Sequence, residues 1–285
     1  MAHSKPSTPL RYPGGKSQFL PFIESLIEVN NLNGGHYFEP YAGGAGVALS
    51  LLYKGLVTEI HINDFDTAIY DFWLSATQFT EDFVRLVNDT EVTMEAWYLQ
   101  KNILKNPQEF SLIERGFATF FLNRTNRSGI LKGGVIGGKE QAGVWKLDER
   151  YNKKNLIERI NKLGQHRDRI HIYNEDAKKI IQRCIDFLPP NSLIYLDPPY
   201  YVKGQGLYRN YYVHDDHVAI KDALQFVKFK WIVSYDNNSE IKAIYSKYRQ
   251  ELYSLSYSAQ NKKIGTEIMI YSDDIFTPET IAEAA

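Results

Sequence analysis

The stretch HYFEPYAGGAGVALSLLYKGLVTEIHINDFD, residues 36–66, decides the fold. "HYFEP" is short and aromatic, which suits a strand. "YAGGAG" breaks regular structure with Gly43, Gly44 and Gly46. "VALSLLYKG" strings helix formers together and ends at Gly55, and "TEIHINDFD" returns to β-rich residues before closing in acids. Strand, glycine turn, helix and strand make one βαβ unit, because parallel strands need a long crossover.

Residues 170–200 repeat the theme. "IHIYNED" reads as a strand, "AKKIIQRCIDFL" as a helix with apolar residues recurring at three and four, and "SLIYLD" as a buried strand. "HVAIKDALQFV" and "KWIVSYD" add a helix and a strand, and "ELYSLSYSAQNKKIGTEIMIYSD" reads as two strands joined by a polar loop. Residues 80–165 differ: two helical stretches, "TEDFVRLVNDTEVTMEAWYLQKNIL" and "PQEFSLIERGFATFFLNRT", precede the glycine-rich, basic "RSGILKGGVIGGKEQAGVW". The expected class is α/β, a Rossmann-like doubly wound sheet with a C-terminal antiparallel hairpin and an inserted, mainly helical domain. The expected boundaries are 1–79 and 166–285 for the sheet domain and 80–165 for the insert.

With 285 residues and 44% hydrophobic content, the chain can bury a large core. It has no apolar run of roughly eighteen residues, and "MAHSKPSTPL" lacks the apolar centre of a signal peptide, so the expectation is a cytoplasmic protein without a membrane span. The single cysteine, Cys184, excludes an intramolecular disulfide and reads as a small core residue. The seven histidines are scattered; His214 and His217 in "VHDDH" read as residues capping or lining a helix start, and no metal site is expected. Net charge is −1, yet residues 121–170 hold six Lys and six Arg against five acids, a local +7. That concentration suits a phosphate-bearing partner, or else a solvated face.

The glycine turn lets a ligand approach the backbone and the helix N-terminus. Asp64, twenty residues beyond Gly44, ends the second strand where a carboxylate can accept both hydroxyls of a ribose. The full dinucleotide pattern is missing, since Leu49 stands where a third glycine or alanine belongs. "RYPGGK" at 11–16 lacks the first glycine of a P-loop, which disfavours a nucleotide triphosphatase; Lys16 beside Tyr12 suits a small charged ligand instead.

"SLIYLDPPY", residues 192–200, stops a buried strand at an acid and two prolines. An exocyclic base amine is a poor nucleophile because its lone pair is delocalised into the ring. The Asp197 carboxylate and the Pro198 carbonyl can each accept one of its N–H groups, leaving the lone pair to attack. Pro198 and Pro199 fix φ and so preset the carbonyl direction. Tyr200 offers a π face to an extruded base.

"DPPY" at 197–200, "EPYAGGAG" at 39–46, "RYPGGK" at 11–16 and "FFLNRT" at 120–125 resemble the Dam-type, alpha-group DNA adenine-N6 methyltransferases, over residues 9 to 272. The resemblance implies a site-specific enzyme that moves a methyl group directly, in line, from S-adenosyl-L-methionine to a flipped-out adenine in double-stranded DNA. It implies cofactor contacts at Tyr12, Gly15, Lys16, Glu39, Pro40, Gly43, Gly44 and Gly46, with Asp64 on the ribose and Asp176 on the adenine amine. Asp197, Pro198, Pro199 and Tyr200 match the catalytic loop. Asn123, Arg124, Thr125 and Arg127 fall where DNA is contacted, and Lys132, Lys139 and Lys146 suit phosphates. "WIVSYD" at 231–236 is similar to a strand motif beside the target pocket. The implied partners are double-stranded DNA and a cognate restriction endonuclease, with the chain as a monomer or weak dimer. Dam proteins carry an NGL-x-RYN-like hairpin after the Asn-Arg pair; this chain does not, which leaves GATC unsupported as its target. Cytosine-N4 or RNA adenine methylation would use the same acceptors, and a silent DNA-binding module on the same fold is the alternative of another class.

Overall fold

The computed structural model describes residues 7–12, 16, 19–201, 212–257 and 263–278. Strands β1 (His36–Glu39), β2 (Glu59–Asn63), β3 (Ile170–Tyr173), β4 (Leu193–Leu196), β5 (Lys230–Asp236), β6 (Arg249–Tyr257) and β7 (Lys263–Tyr271) form a seven-stranded sheet in the order β3-β2-β1-β4-β5-β7-β6. β1 runs parallel to β2 and to β4, and β4 parallel to β5. β7 lies antiparallel to β5 and to β6, the expected closing hairpin. The fold is α/β, as expected. β4 reads "LIYL" and is buried throughout, because a strand inside a parallel sheet is covered on both faces and has no polar side to alternate with.

The helices are α1 (Leu20–Val29), α2 (Gly46–Tyr53), α3 (Thr67–Gln78), α4 (Thr80–Asp89), α5 (Met94–Lys105), α6 (Leu112–Thr125), α7 (Lys153–Gln165), α8 (Ala177–Gln182), α9 (His214–Leu224) and α10 (Ser239–Ile244). α6 starts at a capping box: Ser111 Oγ accepts the Glu114 N–H, and the Glu114 carboxylate accepts the Ser111 N–H at 2.8 Å. The Ser111 hydroxyl, donating to the same carboxylate at 2.6 Å, and then the Ser111 N–H hold the Glu114 carboxyl below its ordinary range. The segment "AKKIIQRCIDFL" is shorter as a helix than its periodicity predicts, since α8 tightens into a 3-10 turn at Cys184–Asp186, a common way to end a helix.

The chain divides into two compact units. The first comprises Met1–Ser17, Gly43–Ser50 and Asp66–Asn174, and the second Gln18–Ala42, Leu51–Phe65 and Glu175–Ala285. The first unit packs α3 on α6, α5 on α6 and α4 on α7. Its centre is aromatic: Phe72 stacks on Phe120 at 6.0 Å, and Phe83 and Tyr151 each meet Phe120 edge-on at 5.6 Å. Each buried phenylalanine stabilises the unit by roughly 1.5–3 kcal/mol. Gly116 sets the helix spacing, because a Cβ there would lie 2.5 Å from Ser75 Oγ of α3. The residue before Gly116, Arg115, clamps the buried Asp71 carboxylate, one turn from Ser75 on α3, at 2.7 Å.

In the second unit Asn63, 1% exposed, ties strand ends together. Its Nδ2 donates to the carbonyls of Pro40 at 2.9 Å and Glu175 at 3.0 Å, and its Oδ1 accepts the Glu175 N–H at 2.9 Å. The chain leaving β1, the end of β2 and the segment that leads into α8 are thereby held by one side chain. Among the described residues, no helix is long and apolar enough to cross a membrane.

Candidate active site

In an open α/β sheet, ligands bind beyond the carboxyl ends of the parallel strands, where the strand order reverses. Here the reversal falls between β1 and β4, the two neighbours whose ends carry Glu39 and Asp197. Glu39 is 5% exposed and Asp197 is half-buried. Asp64 follows Asn63 directly and is half-buried, with Phe65 beside it 58% exposed. Asp176 caps α8, accepting the Lys179 N–H at 3.2 Å, and sits next to the Glu175 peptide that Asn63 holds. The second unit therefore brings Glu39, Pro40, Asp64, Asp176 and Asp197 to one edge of its sheet.

The segment after β4 is fixed by β5. The register pairs Leu196 with Val233, which puts Ser234 beside Asp197. Ser234 Oγ donates to Asp197 Oδ1 at 3.0 Å. A serine hydroxyl has one proton, so Ser234 accepts from Tyr195, whose hydroxyl is 2.9 Å away. Burial first, and then the Asp197 charge, raises the Tyr195 pKa well above 10 and keeps that proton in place. Two residues on, Asp236 Oδ1 accepts the Tyr201 N–H at 3.0 Å. Ser234 and Asp236 share one side of β5 and grip the segment at both ends, with Pro198 buried between them. Tyr200 is 9% exposed, and its hydroxyl donates to Glu267 Oε1 at 2.6 Å.

Tyr235, between those two anchors, points the other way and meets His217 of α9, with His217 Nδ1 3.0 Å from the Tyr235 hydroxyl. His214 Nδ1 lies 3.0 Å from the Tyr201 hydroxyl. Both histidines line the start of α9, and both also touch residues flanking the proline pair. Burial pushes His217 down to about 4 from its ordinary 6.5, opposed by Asp216 and assisted by His214. Because the folded value lies below the unfolded one, the unfolded chain takes up this proton first. The stabilisation is whole above pH 6.5 and is lost as pH falls from 6.5 toward 4. Denaturant melts should show the parent losing about 2–3 kcal/mol more than His217→Asn between pH 7 and pH 4.5. Equal losses in the two proteins would remove this assignment.

In the first unit the glycine turn is clasped from two sides. A Cβ on Gly43, whose φ is +45°, would lie 2.6 Å from the Tyr12 ring, and one on Gly44 would lie 3.0 Å from Tyr12 Cβ. Trp73 Nε1 donates to the Gly43 carbonyl at 2.9 Å. Ala45 also adopts a positive φ of 45°, a strained conformation for a residue with a side chain. Gly46 opens α2, and Lys16 is buried at 7% exposure. Gly15 lies outside the described residues.

The basic stretch of this unit separates into inner and outer residues. Asn123, 1% exposed, accepts the Arg11 N–H at 2.7 Å and donates to the carbonyls of Arg11 and Gly129 at 2.7 and 2.9 Å. Thr125, fully buried, donates to the Phe121 carbonyl at 2.8 Å. Both spend their polar atoms inside the protein, although the resemblance implies DNA contacts there. Arg124 is half-buried and donates to the Arg150 carbonyl at 2.7 Å. Burial, and then the charges of Arg11, Arg159 and Arg150, push its guanidinium down to about 9. Four arginines gathered there make an electropositive centre. Arg127, Lys132 and Lys139 are exposed. Sequence reasoning passed over Val144 and Trp145, which stand 89% and 61% exposed in the same loop. Gln141 staples that loop, donating to the carbonyls of Ile136 and Gly138 at 2.8 and 2.6 Å and accepting the Leu147 N–H at 2.9 Å.

Spacing along the chain gave no metal pattern, but folding gathers His36, Glu59 and His61 within 4.8 Å. His36 Nδ1 and His61 Nε2 already share a hydrogen bond of 3.0 Å, and the rings stack at 5.2 Å.

A model of the D12 class N6 adenine-specific DNA methyltransferase family matches residues 12–261. The Type II methyltransferase M.MjaIII of Methanocaldococcus jannaschii is 27% identical over 207 residues, which is 67% of this chain and 68% of that protein. Among solved structures, precorrin-6y C5,15-methyltransferase from Geobacter metallireducens aligns with a TM-score of 0.36 and 10% identity, covering 94% of this chain and 99% of that one. A putative methyltransferase, yhhF, from Escherichia coli aligns with a TM-score of 0.34 and 8% identity, covering 93% and 92%. The family match runs from Tyr12, at the clasped turn, through the acid, proline pair and tyrosine that end β4, and the chain belongs to the D12 class N6 adenine-specific DNA methyltransferases.

Proposed function

We propose that the residues around Asp197 activate the amine of an adenine extruded from double-stranded DNA for direct attack on the methyl group of S-adenosyl-L-methionine. The observation that carries this reading is the grip of β5 on the segment after β4, through Ser234 on Asp197 and Asp236 on Tyr201. Asp197 accepts one N–H of the amine and the Pro198 carbonyl the other, which leaves the nitrogen lone pair for the sulfonium methyl. Preset acceptors need no reorganisation when the reaction occurs. Pro199 holds the turn and Tyr200 stacks on the base. The bond to N6 forms as the sulfur–methyl bond breaks, S-adenosylhomocysteine leaves, and the amine's surplus proton passes to Asp197 or to water.

For the donor, Asp64 accepts the ribose hydroxyls, Asp176 the adenine amine, and Phe65 offers a ring face. Tyr12, Gly15 and Lys16 contact the donor, and Glu39, Pro40, Gly43, Gly44 and Gly46 wrap its methionine part. The segment 80–165 recognises the target, with Arg127, Lys132 and Lys139 on phosphates and Arg124 in the electropositive centre behind them. Asn123 and Thr125 act there by holding the polypeptide in shape. Each lysine that neutralises a phosphate releases about one counterion, so replacing Lys132 and Lys139 together by glutamine should lower the slope of log K against log salt by about 2. An unchanged slope in fluorescence anisotropy titrations removes them from the interface.

The Type II designation of the Methanocaldococcus relative supports a restriction setting with a cognate endonuclease. A DNA substrate and this donor meet in the cytoplasm, where the enzyme acts as a monomer or weak dimer. Long-read sequencing of DNA from a host expressing the chain tests target and chemistry together. N6-methyladenine at one short motif other than GATC is the expected result, and modified cytosine alone overturns the adenine reading.

A further inference from the structure

We propose that Glu267 is a positioning residue, which fixes the ring of Tyr200 in the orientation that stacks on the extruded adenine. The inference rests on the stacking role given to Tyr200 above and adds a residue to that site. Glu267 lies on β7, paired with Asp236 of β5 on one side and Tyr253 of β6 on the other. It is 2% exposed. Oε1 accepts the Tyr200 hydroxyl at 2.6 Å and Oε2 the Tyr253 hydroxyl at 2.5 Å. Burial, and then the Glu267 charge, raises the Tyr253 pKa, so that phenol stays a donor. The Tyr253 ring is itself held edge-on to Phe19, centroids 4.7 Å apart.

A carboxylate taken out of water is costly to the fold, and an apolar residue at 267 would serve sheet packing better. What the carboxylate supplies is direction. Charge-assisted hydrogen bonds are roughly twice as strong as neutral ones, and each oxygen takes a different phenol. The Tyr200 ring is thereby pinned at its far end by Glu267, while its backbone is pinned by the grip on Asp197 and Tyr201. A ring held at both ends can meet a base without first losing rotational freedom.

The test compares Glu267→Gln, Tyr200→Phe and the double variant in single-turnover methylation, in donor titration, and with a target duplex carrying 2-aminopurine at the methylated position. Glu267→Gln and Tyr200→Phe should each slow transfer about tenfold and raise the bound 2-aminopurine fluorescence, because a loose ring quenches less, with donor affinity unchanged. If Glu267 acts through the Tyr200 hydroxyl, the double variant is no slower than the slower single one. Losses that multiply in the double variant, or parent-like rates in Glu267→Gln, overturn the proposal. Tyr253→Phe removes one of the two bonds and leaves the charge in place; it should show the same signature at two- to threefold, and no change in either readout counts against the proposal. A parent enzyme that methylates no duplex adenine overturns the reading of the site itself, whereas an active parent with multiplying variants overturns the role of Glu267 alone.

Discussion

Replacing Asp197 by alanine should abolish methyl transfer, lowering the single-turnover rate by at least about 10³-fold, the scale of losing a preorganised charged hydrogen-bond partner. The adenine amine then keeps only the Pro198 carbonyl, and its lone pair stays delocalised into the ring. Donor affinity should remain within about twofold, because the residues assigned to the donor do not include Asp197. Asp197→Asn is the sharper variant. It preserves shape and can still accept from Ser234 through its carbonyl oxygen, yet its amide carries no charge to draw on the amine's protons. A rate near that of the alanine variant assigns the function to the charge, and a rate near the parent's removes Asp197 from catalysis. Ser234→Ala separates holding from reacting, since it deletes the bond to Asp197 Oδ1 and leaves the acid in place.

Gly43→Ala should cost the enzyme its donor. At φ +45° any side chain is strained, and the added Cβ would fall 2.6 Å from the Tyr12 ring, so the ring or the turn must move. The strain is worth about 1–2 kcal/mol of stability. Displacement of Tyr12 should weaken S-adenosyl-L-methionine at least about tenfold in calorimetric titration. Gly55→Ala is the matched control, because Gly55 also has a positive φ, +72°, but a Cβ there meets nothing within 4 Å. It should lose similar stability and keep its donor affinity. Equal donor affinity in the Gly43 and Gly55 variants would detach the turn from cofactor binding.

The sheet was legible because its strands obey simple rules. "LIYL" is an apolar run and "IHIN" carries two β-branched isoleucines, each closed by an acid, and the glycine turn between β1 and α2 has no other regular reading. α3 was not read, and its packing explains why. Asp71, Ser75 and Thr77 are buried along with Phe72 and Trp73, so the polar residues that should mark a solvent face do not mark one. Asp71 is tolerable there only because Arg115, forty-four positions away, reaches it. The acid and prolines after β4 and the basic loop were visible as local patterns. "WIVSYD" placed Ser234 and Asp236 beside the target pocket only as part of a motif; which residues they and Glu267 hold depends on strand register, which no short motif encodes. Asn123 and Thr125 show the converse. The resemblance of "FFLNRT" implies DNA contacts at both, yet the last turns of α6 direct both side chains inward, and the exposed Arg127 lies beyond the helix end.

The most direct measurement is nucleoside mass spectrometry on duplex DNA incubated with the purified enzyme and methyl-labelled S-adenosyl-L-methionine. Label is expected in N6-methyldeoxyadenosine, present with the parent and gone with Asp197→Ala. Label in N4-methyldeoxycytidine alone, or adenine label that survives the loss of Asp197, would contradict it.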